Sequence, residues 1–234
     1  MSHQPVPERY RGVWSRTLLE TPTQRDDTSL VLWMQTELWH ADLRIPLAAR
    51  ADRIKAPLSA MSSGQHQALA LQSGFCGITQ VERRSPQEDE ICTWHRRLDY
   101  QPPGLSPDAG WMVFESDDRV IETGVHGVYR EVWERLPESI GPCTFREQAD
   151  AQNPVQVTRI LTAGRCIMQV RPRACAWPTD TRPGDTLTEV VARHPTQASS
   201  LLDFEVSFGV LDEGEGLRWT LHHSTLPELE STLG

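Results

Sequence analysis

Residues 39–46 read WHADLRIP. A strand sends successive side chains to opposite faces, so Trp39, Ala41, Leu43 and Ile45 point one way and His40, Asp42 and Arg44 the other. A period of two that ends at Pro46 is the signature of a strand, not of a helix. The polar row either meets water or lines a pocket. Inside a pocket, a histidine, an aspartate and an arginine would hold one another and offer an anionic ligand a hydrogen bond and a charge.

The same alternation recurs along the chain. GVWSRTLLE (12–20) and SLVLWMQT (29–36) precede the opening stretch. FCGITQVE (75–82), EICTWHRRLDY (90–100), GWMVFES (110–116), RVIETG (119–124) and YREVWERL (129–136) follow it. VQVTRILTAG (155–164) and RCIMQVRPR (165–173) read as a hairpin turning at Ala163-Gly164, and Asp117-Asp118 marks another tight turn. LLDFEVSFGVLDEGEGLRWTLHHS (201–224) reads as a last hairpin, closed at residues 212–216. Short helices are predicted over Gln65 to Leu71 and over TLTEVVAR (186–193). Roughly ten to twelve short strands with one or two short helices predict an all-β, antiparallel barrel or strongly curved sheet. The expected organisation is one domain over 1–234, with a two-part alternative of 1–140 and 150–234.

Bulk composition narrows the partners. Hydrophobic residues are 38% and charged residues 24%, as expected of a globular chain. A net charge of −9 with no long basic block argues against nucleic acid. No apolar run approaches the ~18 residues of a membrane span, and the first residues, MSHQPVPERYRG, carry no apolar export signal. A cytoplasmic location is therefore expected. Lys55 is the only lysine and lies in the polar stretch RADRIKAP, which leaves little room for Schiff-base chemistry. The five cysteines form no CxxC pair, and neither a zinc site nor any other metal or cofactor is expected. Glycine-rich phosphate loops, GxSxG and HExxH are all missing from the sequence.

Gly12-Val13-Trp14 on the first strand resembles the GxW signature of the lipocalins and the wider calycin group. The resemblance implies a barrel whose Trp14 closes one end. It also implies an arginine from the last strand packed across that ring, a role that would fall to Arg218.

The remaining chemistry sits in polar rows. On residues 90–100, Trp94, Arg96 and Tyr100 share a face, placing a guanidinium between aromatic rings, as suits an anion. An arginine snorkelling at a rim is the alternative. On residues 129–136, Tyr129, Glu131 and Trp133 share a face. Glu131 is either a desolvated acid–base group or the partner of an arginine such as Arg96. His126 lies between Gly124 and Gly127 in a turn, either at a barrel mouth or simply in solvent. Glu122 is a secondary candidate whose face the spacing leaves open.

Two leading functions follow. The first is binding of a small, largely apolar molecule, with or without a carboxylate, by Trp39, Arg44, Trp94, Arg96, Tyr129 and Trp133. The second is a cofactor-independent lyase or isomerase in the same cavity, with Glu131, His126 and His40 as catalytic groups. A filled structural barrel is the third. The oligomeric state is open, a homodimer included.

Overall fold

A computed structural model describes residues 4–50, 53–85, 87–151, 156–212 and 218–232. The proposed turn at 212–216 lies outside the described residues, except for Asp212. Strands β1 (Gly12–Glu20), β2 (Arg25–Asp26), β3 (Leu30–Gln35), β4 (Trp39–Ile45), β5 (Ser73–Glu82), β6 (Glu90–Asp99), β7 (Asp108–Ser116), β8 (Arg119–Gly124) and β9 (Arg130–Arg135) form the first sheet. Every neighbour is antiparallel, and β9 returns to pair with β1. The result is a closed barrel of eight strands, with short β2 beside β1. Closure through the β1–β9 pairing removes most of the free strand edges that an open sheet of this size would present to other chains.

The second half forms a separate five-stranded meander: β10 (Cys143–Ala149), β11 (Val157–Ala163), β12 (Cys166–Arg171), β13 (Glu205–Leu211) and β14 (Trp219–Ser224). The described residues hold four α-helices: α1 (Leu47–Arg50), α2 (Ser63–Ala70), α3 (Leu187–Arg193) and α4 (Ala198–Leu202). The two predicted ones, α2 and α3, each start on a capping box, Ser62 with Gln65 and Thr186 with Glu189. The all-β expectation therefore holds, but the strands divide between a barrel and a covering sheet.

That division explains the opening stretch. Trp39, Ala41, Leu43 and Ile45 point out of the barrel and are covered by the second sheet. Leu32, Met34, Ala41, Leu43 and Ile45 share one core with Leu161, Met168, Val170, Val206 and Phe208. His40 and Asp42 point inward and are fully buried, while Arg44 is half-buried. Both faces of β4 are thus internal.

Two expectations need correction. Trp39 does not line the barrel interior: its ring stacks on Phe145 of β10, 4.2 Å away and 4° from parallel. The arginine over Trp14 is Arg135, whose guanidinium lies 5.1 Å from the ring centroid. Arg218 is an exposed residue beside β14, in the other sheet. The reason is topological, because the barrel's last strand is β9 and the chain continues for another sheet. Gly12 has φ +126°, and a Cβ there would meet Arg135 Cδ at 2.9 Å. Only glycine leaves that arginine room to lie against the strand.

Candidate functional site

The inward-facing side chains change character along the barrel. At one end Trp33 touches Trp14, Trp94 and Trp133, with ring centroids 6.2, 5.4 and 5.9 Å away. Tyr10, from the turn before β1, plugs this end against Phe114 at 4.9 Å and donates to Glu90 at 2.9 Å. Edge-on aromatic packing of this kind fills space and contributes beyond the area it buries.

The other end is ionic. Arg16 of β1 bridges Glu131 at 2.6 Å and Asp26 at 2.8 Å. Arg44 forks onto Asp42 at 2.7 and 3.1 Å. Burial alone would lower the Arg44 pKa, but Asp42, then Glu131, holds it well above the ordinary value. Arg96 joins Asp108 at 2.7 Å and Asp99 at 2.9 Å while lying 3.6 Å over Phe75. Glu131 therefore pairs with Arg16 and not with Arg96.

Glu122 stands opposite Glu131 on neighbouring strands. Its carboxyl accepts from Tyr129 Oη at 2.7 Å and from Trp133 Nε1 at 3.1 Å. Burial first, and the neighbouring Glu131 charge second, push its pKa well above the ordinary carboxylate value. The cross-strand pair Gly110 and Gly124 makes room for this group. A Cβ on Gly110 would meet Glu122 Cγ at 2.5 Å, and one on Gly124 would meet the Tyr129 ring at 2.5 Å.

His40 is held by a short relay. Gln35 Nε2 donates to the Thr36 and Trp39 carbonyls, so its Oε1 is left to accept from Thr79 Oγ1 at 2.6 Å. With the hydroxyl proton committed, His40 Nδ1 must donate to Thr79 Oγ1 at 3.0 Å. Nε2 then carries the lone pair, buried and without a partner among the described residues. Burial, then the charges of Arg96 and His95, push the His40 pKa well below the ordinary imidazole value.

Beside Arg96 the barrel wall opens. β7 pairs with β6 only from Glu90 to Trp94. Beyond Trp94, β6 diverges from the segment 101–107 and leaves a groove of about 730 Å³. Trp94, Arg96, Arg97, Asp108 and Trp177 are among the residues lining it. The size falls within the range of small-molecule sites.

Among the sequence candidates, Arg44, Arg96, Tyr129 and Glu131 gather at the ionic end. Trp94 and Trp133 belong to the aromatic end, and His40 to the wall between. His126 is exposed in the loop between β8 and β9, away from the barrel lining. Arg16, Asp108, Thr79 and Gln35 escaped the sequence reading. Arg16 carries a signal, since it lies two residues after Trp14 and the alternation of β1 sends both inward.

The fold and this lining define an all-β protein with an eight-stranded barrel backed by a second sheet. No family model matches the chain, and no curated protein matches it. A solved structure of similar fold is that of the uncharacterized protein YLR301w from Saccharomyces cerevisiae, with a TM-score of 0.54 at 10% identity. The match covers 91% of this chain and 84% of that one. No helix among the described residues is long and apolar enough to cross a membrane.

Proposed function

We propose that this chain is a calycin-like binding protein whose site is the groove beside β6, and that its ligand combines an apolar ring with an acidic group. The carrying observation is the groove of about 730 Å³ whose lining includes Trp94, Trp177 and Arg97. Arg96 is already neutralised by Asp99 and Asp108. Arg97 is exposed and has no ion-pair partner among the described residues, so its charge is available to an incoming anion. The GxW tryptophan under Arg135 supports the calycin comparison. The interlocked rings of Trp14, Trp33 and Trp133 belong to the core and take no part in this site.

Two measurements test the reading. Native mass spectrometry of gently purified protein is expected to show a co-purifying small acid. Titration with benzoate, followed by NMR, is expected to shift Trp94, Trp177 and Arg97 signals, whereas neutral benzamide leaves them in place. Absence of both the co-purified molecule and the benzoate shift overturns the proposal.

One observation favours a second reading, a cofactor-independent lyase or isomerase. Burial biases Glu122 toward its protonated form, and it stands opposite Glu131, which Arg16 holds at 2.6 Å, so a proton donor faces a second carboxyl group. Under this reading Glu122→Gln abolishes turnover and leaves benzoate binding intact.

A further inference from the structure

We infer that the groove accepts an extended peptide, bearing an acidic side chain or a terminal carboxylate, as an added strand along β6. This rests on the groove being the binding site and names the class of its ligand. β6 runs to Asp99, but β7 begins at Asp108 opposite Trp94, so, among the described residues, 95–99 pair only with β5, with Arg97 bulged out of the register. Five residues of strand make an edge of about 17 Å. The groove follows this edge, because every residue from Thr93 to Asp99 lines it, inward and outward side chains alike.

The far wall cannot zip onto the edge. It runs Gln101-Pro102-Pro103-Gly104-Leu105-Ser106-Pro107, and three prolines remove three backbone donors. It is held elsewhere, with Gly184 N donating to the Pro103 carbonyl at 2.9 Å. Among the described residues no backbone hydrogen bond joins 101–107 to 95–99. The edge also presents its backbone to the groove. The His95 carbonyl and Arg97 N–H crowd Gly77 on the β5 side. Strand alternation then turns the Arg96 N–H and carbonyl toward the groove. Arg97 is a β-bulge in the ladder with β5 and the Asp99 carbonyl accepts from Arg173, so the open backbone groups centre on Arg96, where they are complementary to another extended chain. Arg97, lining the same slot without a counter-ion, selects a segment with a negative group.

The test uses the full chain and a phage-displayed library of random octapeptides. Selection is expected to enrich acidic peptides, and a synthetic winner is expected to slow hydrogen exchange within Arg96–Asp99. Backbone N-methylation at alternate residues, on the edge facing β6, is expected to weaken binding roughly tenfold or more. Methylation on the opposite edge leaves it within about twofold. Arg97→Ala, on an exposed side chain, removes the preference for acid over amide. No enrichment, equal loss from both methylation patterns, or protection elsewhere overturns strand addition. If benzoate still binds while peptides fail, the small-acid reading survives alone; if neither binds, both fall.

Discussion

The two ends of the barrel are built on the same eight strands and the same inward alternation, yet they are opposite materials. One is packed with tryptophan rings around Trp33 and is sealed by Tyr10. The other holds the arginines Arg16, Arg44 and Arg96, each against at least one carboxylate. The difference teaches that a barrel interior is not a single environment. Packing supplies stability where the rings interlock, and the ionic end uses that rigidity to hold charges that would otherwise separate and hydrate.

Substitutions can break this contrast or sharpen it. The largest effect is expected at the aromatic end: Trp33→Ala leaves a void among three rings and should cost about 3–5 kcal/mol in urea unfolding. An equal or larger loss from every ionic-end variant would refute the division of labour. Arg16→Ala should cost about 3 kcal/mol, because Glu131 and Asp26 lose their shared cation in a buried place. The double change Arg16→Met with Glu131→Leu should cost less than Arg16→Ala alone, as a double-mutant cycle would show.

A smaller effect depends on pH. The unfolded chain releases the Glu122 proton in the ordinary carboxylate range, but the folded barrel retains it above that range. The folded state then binds more protons, and stability falls as pH rises. Glu122→Gln removes this slope, so its advantage over the parent chain should grow between about pH 4 and pH 8. A constant difference across that span would mean Glu122 is ionised in the fold. His40 acts in the other sense, since its lowered value costs stability as pH falls below the imidazole range. The smallest change is expected for Arg97→Ala, within about 0.5 kcal/mol of the parent, with benzoate binding lost.

Much of the barrel was legible in the alternation of side chains. WHADLRIP marks a strand with two distinct faces, and Gly12-Val13-Trp14 marks a closed end. What alternation lacks is a sign for which face is the lumen. Trp39 looked like a cavity wall because apolar rows usually face a core, and here the core on that side lies between the two sheets. Arg218 borders the last strand of the chain, and nothing local in the sequence says that the barrel itself closes at Arg135. The relay from Gln35 through Thr79 to His40 was hidden for a related reason. Its members come together through register across β3, β4 and β5, over 44 residues of chain.

The core shared by β3, β4 and the covering sheet has a consequence for how the chain can be divided. Cut in the link between Arg135 and Cys143, each piece would carry a bare greasy wall, Leu43 and Met34 on one, Leu161 and Phe208 on the other. Neither would be a sound product of its own gene. Supplied together, the pieces should find each other through those walls, which makes this link a natural place to split the protein into a complementing pair.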